Sequence, residues 1–124
     1  MKTLEICTGD PEGILTAFAA GADRIELCSG LAEGGLTPSI AAVRFASGLK
    51  QGTVNVLIRP RAGDFVYTPA EVRIMTDDIR AAMEAGASGI AVGALTPDGR
   101  VDEEACRDFI AAAGPNADST FHRA

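Results

Sequence analysis

Two short stretches of this chain carry an acid and a thiol two residues apart: Glu5 with Cys7, and Glu26 with Cys28. Both fall in apolar, strand-like runs, Leu4-Glu5-Ile6-Cys7 and Arg24-Ile25-Glu26-Leu27-Cys28. In a strand, positions i and i+2 share a face. Each glutamate therefore points with its cysteine, while Ile6 and Leu27 point the other way. If the two strands are parallel neighbours about 4.8 Å apart and the repeats pair in register, the sulfurs of Cys7 and Cys28 come together. Thiolates are soft ligands, and soft ligands select ions such as Cu(I). The same spacing also suits two small buried hydrophobes, the usual state of free cysteine. It would allow a disulfide too, which a reducing cytosol disfavours.

A second group of polar residues lies at the ends of apolar runs. Arg59, Arg61 and Asp64 follow the run Val54 to Ile58, and His122 and Arg123 stand at the last run. Buried acids need partners, because an unpaired buried charge is costly or shifts its pKa. Arg59 and Arg123 are the expected partners of Glu5 and Glu26. If Glu5, Glu26, Arg59, Arg61, Asp64, His122 and Arg123 converge, they form a site for a small anionic or carbonyl substrate. His122, the only histidine, would be its acid or base. The alternative is a layer of internal ion pairs that supports the fold. The glycine-rich loop Gly30 to Gly35 has no phosphate-binding fingerprint; its own Glu33 would repel phosphate, and a flexible lid is the simpler reading. Cys106 sits on a predicted helix without ligand spacing and reads as packing. H-E-x-x-H, C-x-x-C and G-x-S-x-G are absent.

The elements that hold these residues alternate. Strands are predicted at Thr3–Cys7, Arg24–Cys28, Val54–Ile58, Gly89–Gly93 and from Ser119 to His122. Helices are predicted from Pro11 behind an Asp10 cap, over about Pro38–Leu49, from the capping box Thr68-Pro69-Ala70-Glu71, and over Glu103–Ala113 behind Asp102. Their inward stripes are Ile14, Leu15 and Phe18; Ile40, Val43 and Leu49; Val72, Met75, Ile79 and Met83; and Phe109 with Ile110. Strand–helix alternation without hairpin signals means right-handed crossovers and a parallel sheet. Leu4–Gly9 also matches Ile25–Gly30 at an offset of 21 residues, which favours a barrel of repeated units. The units are spaced by about 28 residues, so the eight of a barrel would need about 230. The expected fold is therefore α/β, a TIM (β/α)8 type, with residues 1–124 as one partial domain of about four and a half units.

Composition narrows the partners. Eleven basic and seventeen acidic residues give a net charge of −6, which argues against a nucleic-acid or anionic-membrane surface. No apolar run has signal-peptide or membrane-span character, and three cysteines are too few for a disulfide framework. A cytoplasmic protein without membrane partners is expected. An incomplete barrel leaves open strand edges, which invite pairing with a second copy.

Four stretches together resemble the CutC family of copper-homeostasis proteins: Ile25–Ser39, Val56–Thr68 (VLIRPRAGDFVYT), Ile90–Asp102 (IAVGALTPDGRVD) and Thr120–Ala124 (TFHRA). The family's usual loop reads R-P-R-G-G-D-F, and here position 62 is alanine. The resemblance implies a cytoplasmic, often oligomeric TIM barrel linked to copper handling, of which this chain would be the amino-terminal half. It also implies that Cys7 and Cys28 are the copper-binding cysteines. Copper handling leaves the arginines and His122 unexplained; a barrel enzyme of unknown reaction would use them, and an oligomeric scaffold would need neither set.

Overall fold

The computed structural model describes residues 1–124. Strands β1 (Glu5–Thr8), β2 (Arg24–Leu27), β3 (Thr53–Leu57), β4 (Gly89–Val92) and β5 (Asp118–Phe121) alternate with helices α1 (Pro11–Ala19), α2 (Ile40–Gly48), α3 (Pro69–Glu84) and α4 (Glu103–Ala113). All four strand pairs are parallel, in the spatial order β1-β2-β3-β4-β5. A doubly wound sheet reverses its strand order part-way. An unbroken order, with each strand beside the next, is the arc of a (β/α)8-type barrel.

Pairing does not follow the sequence repeat. Glu5 stands opposite Arg24, an offset of 19, so Cys7 faces Glu26 and not Cys28. The repeat offset of 21 is thus staggered by two residues along the strand. Tilted strands in a barrel require such a shear. A two-residue stagger preserves side-chain parity, so the expected division of faces survives.

One face of the sheet carries the main core. Ile25, Leu27, Val54, Val56, Ile58, Ile90 and Val92 pack against Ile14, Phe18, Val43, Met75, Ile79 and Phe109 of the helices. The concave face holds a small cluster of Cys28, Leu57 and Ala91 among polar side chains. Leu15 and Ile110, expected inward, are 41% and 53% exposed. They lie on α1 and α4, which end the row of helices with one helical neighbour each. No helix is long and apolar enough to cross a membrane.

Helix starts follow local side-chain chemistry. Asp10 Oδ1 accepts from the Gly13 amide at 2.7 Å, and Asp102 Oδ1 from the Ala105 amide at 3.0 Å. The second helix begins later than Pro38. Thr37 Oγ1 is taken by the Arg59 amide, so Ser39 provides the cap by accepting from the Ala42 amide. Thr68 and Glu71 complete a reciprocal capping box on α3. Thr68→Ala should therefore lower stability by about 1 kcal/mol, read as a lower urea midpoint with an unchanged slope.

Candidate functional site

The thiol pair comes together. Cys7 Sγ and Cys28 Sγ lie 3.8 Å apart on the concave face, at the carboxyl ends of β1 and β2. They are unbonded. The stagger places Cys28 beyond the end of β2, one step diagonally from Cys7. Cys28 is buried, with its thiol 3.6 Å from the Thr8 carbonyl oxygen. Cys7 is exposed, whereas the packing alternative wanted both thiols buried; in this chain no further strand lies beside β1. Burial first, and then the neighbouring Cys7, push the Cys28 thiol up to about 12. No cluster of three or more His, Cys, Asp or Glu stands ready for a metal ion. Two thiols without a third such ligand do not make a tetrahedral zinc site, whereas Cu(I) accepts two thiolates.

Gly35 roofs Cys28. A Cβ at that position would stand 3.9 Å from Cys28 Sγ and only 2.7 Å from Leu57 Cδ2. The loop that holds this glycine, expected as a flexible lid, is tied by several hydrogen bonds. Leu31–Glu33 form a 3-10 turn, and Ser29 and Leu36 exchange backbone hydrogen bonds across its base. Arg59 fastens it. Its Nη1 donates to the Glu33 and Gly35 carbonyls at 2.6 and 3.0 Å, and its Nη2 donates to the Gly63 carbonyl at 2.9 Å.

The expected pairing of Arg59 and Arg123 with the two acids does not form. Arg59 is spent on carbonyls of two loops, and Glu5 pairs instead with Arg24 Nε at 2.5 Å. Arg24 was legible in principle: it shares a strand face with Glu26, two residues away. Glu26 has no ion-pair partner. Burial, and next Glu5, raise its pKa, with Arg24 opposing. Arg61 and Asp64 stand apart from the concave face. Arg61 Nε donates to Glu71 at 2.6 Å and its Nη2 to Asp64 at 3.1 Å, so this pair braces the start of α3.

What does converge is a cavity of about 240 Å³ lined by Glu26, Gly34, Leu57, Arg59, Phe65, His122 and Arg123. Gly34, Leu57 and Phe65 were not foreseen. Gly34 adopts φ +85°, and a Cβ there would meet Arg123 Nη2 at 3.0 Å and Arg59 Nη1 at 3.4 Å. Both guanidinium groups thus face one small volume. The His122 ring lies 5.2 Å from the Phe65 ring, and both of its nitrogens are buried without a protein partner. Gly93 leaves room for that ring, since a Cβ there would fall 2.5 Å from His122 Cε1. Larger hollows of 440 to 520 Å³ lie against α3 and α4 on the outer layer. They lack this convergence of cations and unpaired ring nitrogens.

The family model described as CutC matches residues 2–124. The chain belongs to the CutC family. A copper homeostasis protein cutC homolog of Homo sapiens is 47% identical over 121 residues, covering 98% of this chain and 44% of the human protein. A family protein CutC of Mesorhizobium japonicum is 47% identical over 126 residues, covering 100% of this chain and 48% of its own length. A crystal structure of a copper homeostasis protein CutC from Streptococcus agalactiae superposes with a TM-score of 0.89 at 35% identity, covering 98% of this chain and 59% of that one. The CutC chain described here spans about half the length of the curated relatives it matches.

On this CutC arc the thiol pair and the cationic cavity are neighbours, joined by Glu26, which faces Cys7 across the strands and lines the cavity. Burial, and then the charges of Arg59 and Arg123, hold the His122 imidazole below its ordinary value and so favour the neutral ring. The unfolded chain then binds the proton more readily. Stability should rise with pH through the window between the lowered folded value and the ordinary 6.5. A proton NMR titration of this single histidine should give a midpoint below 6.5; a midpoint above it would contradict the buried, cation-flanked setting.

Proposed function

We propose that this chain acts in copper homeostasis and that Cys7 and Cys28 share one Cu(I) ion. Residues 1–124 would serve as about half of a CutC-type barrel. The observation that carries the reading is the 3.8 Å sulfur separation at the carboxyl ends of β1 and β2. A metal–sulfur bond is about 2.3 Å for zinc, so two sulfurs bent around one ion of similar size lie within reach of each other with little movement. The names of the human and Streptococcus relatives support the link to copper homeostasis. Bound copper would be the soft acid that both thiolates coordinate. The protein's part is to hold the Cys28 thiol under Gly35 beside that of Cys7. The test is an anaerobic Cu(I) titration against a chromophoric chelator. One ion withdrawn per chain supports the reading; no withdrawal sinks it. Both thiols must lose protons on binding, and Cys28 holds its proton up to about pH 12. Affinity should therefore climb as pH rises from 6 toward 9, by up to about tenfold per unit for each proton released.

A second reading is favoured by the cavity beside the thiols. Two guanidinium groups and an unpaired imidazole converge there, and Cu(I) needs none of them. In this reading the arc carries part of an enzyme site for a small anionic or carbonyl ligand. Arg59 and Arg123 would attract it, His122 would exchange a proton, and Glu26 would stand at its edge. Glu5, Arg61 and Asp64 would have supporting places, through Arg24 and Glu71.

We also propose that the chain works as an oligomer in the cytoplasm. β1 and β5 are sheet edges, and apolar Leu4, Ile6 and Phe121 are exposed on or beside them at 51%, 37% and 45%. Open edges of this kind pair with other chains. Light scattering should find a dimer or larger assembly of the 124-residue chain; a monodisperse monomer with a cooperative unfolding transition would overturn this.

A further inference from the structure

The charges that line the cavity specify its ligand more closely. They are Arg59, Arg123 and Glu26. Nearby Arg24 is shared by Glu5 and the more exposed Asp118, and Arg61 is engaged by Glu71 and Asp64. With a neutral imidazole, the lining carries one net positive charge. A monoanion closes that balance. A phosphate dianion would exceed it and crowd the Glu26 carboxylate.

The hydrogen-bonding groups point the same way. A guanidinium offers a planar fork that matches a carboxylate. Arg123 makes no ion pair with any acid of the chain. Arg59 retains one buried N–H, at Nε, without a partner. His122 adds a ring N–H and a ring lone pair, both unpartnered, and together these suit a single oxygen or hydroxyl next to the carboxylate. Leu57 and the Phe65 ring supply a short apolar wall for carbon. At about 240 Å³ the cavity lies below the ~300–1,000 Å³ of drug-sized pockets, which favours a small ligand.

We infer that the cavity binds a small monocarboxylate with an oxo or hydroxyl group on the adjacent carbon. This rests on the second reading above and narrows it to a 2-oxo or 2-hydroxy acid. Arg59 and Arg123 hold the carboxylate, His122 meets the neighbouring oxygen, and Glu26 excludes dianions.

His122 is the only histidine, so its ring signals report on this cavity alone. The 124-residue chain is titrated separately with pyruvate, lactate, acetate and inorganic phosphate, and the His122 ring is followed by NMR. Pyruvate and lactate should move it saturably at millimolar concentration, and acetate and phosphate should bind more weakly. Arg123→Gln removes an exposed side chain without an ion-pair partner and should weaken pyruvate by about tenfold to a hundredfold. Glu26→Gln removes the opposing charge and should strengthen it by about threefold or more. A purely structural role for these two residues would not shift affinity in opposite directions. If phosphate moves the ring and pyruvate does not, the carboxylate class is overturned while the anion reading stands. If none of the four moves it, both fall. Pyruvate binding that is indifferent to Arg123→Gln also overturns the proposal.

Discussion

Serine at both Cys7 and Cys28 should abolish tight Cu(I) binding, with affinity falling by more than about a hundredfold, beyond what loss of an outer contact causes. Hydroxyls are hard ligands and do not hold Cu(I) as thiolates do. Each single replacement should fall almost as far, because a two-ligand site with one ligand removed is no longer a chelate. Misfolding is not expected to mimic the result. Cys7 is exposed, so serine there meets water. At position 28 the new hydroxyl has an acceptor ready, since the Cys28 thiol already points at the Thr8 carbonyl from 3.6 Å. The control is the urea midpoint, which should move by less than about 1.5 kcal/mol for the double variant. A chelator competition curve that is the same for parent and double variant would remove Cys7 and Cys28 from copper chemistry and leave them as packing at the strand ends. A curve altered only by Cys106→Ser would do the same, since Cys106 lies on α4 against the main core.

The arc itself was legible in the sequence because its signals are local. Pro11 after Asp10, the Thr68–Glu71 capping box and Asp102 before Glu103 each start a helix through one or two side chains. Period-two alternation in β2 sorted Glu26 from Leu27 correctly, because face parity depends on the strand alone. Register is not local. The match between Leu4–Gly9 and Ile25–Gly30 suggested in-register strands, yet barrel shear slides β2 by two residues and sets Cys7 opposite Glu26. The sulfurs still meet because the diagonal neighbour of Cys7 is Cys28.

Partners of the charged groups were the least legible. Sequence reasoning sought an acid for each arginine of the site. Arg59 found backbone carbonyls, which no sequence pattern marks, and Arg24 took Glu5 instead. Arg61 and Asp64 were grouped with the site because they follow β3 closely. The turn at Gly63 instead carries them toward Glu71 at the start of α3. His122 and Arg123 reach the cavity because β5 is parallel to β4 and ends at the same rim. That follows from topology, and the topology was the part the sequence made plain.

Arg59→Ala should be the most damaging change to the site's architecture, costing about 3 kcal/mol of stability. Arg59 is 7% exposed and its guanidinium donates to three carbonyls, of Glu33, Gly35 and Gly63, so it ties two loops that share no secondary structure. Removing it leaves those acceptors unpaired at about 1–3 kcal/mol each where water cannot reach them. Relief of the cost of a buried cation without a carboxylate partner offsets part of this. Lysine should recover little, because a single ammonium cannot span the fork of three acceptors that arginine spans. The consequence extends to the thiols. Gly35 lies over Cys28, and its carbonyl is one of the three that Arg59 holds. Loosening the 30–35 loop should uncover Cys28 and raise its rate of alkylation by iodoacetamide at least about tenfold, in line with a lower cost of local opening. The exposed Cys7 should react at the parent rate and so serves as an internal reference. If Cys28 stays protected in Arg59→Ala while global stability falls, the arginine supports the fold without guarding the thiol. If neither changes, the three carbonyl bonds contribute little, and the loop is held by the Ser29–Leu36 bridge and the ties between Thr37 and the backbone of residue 59.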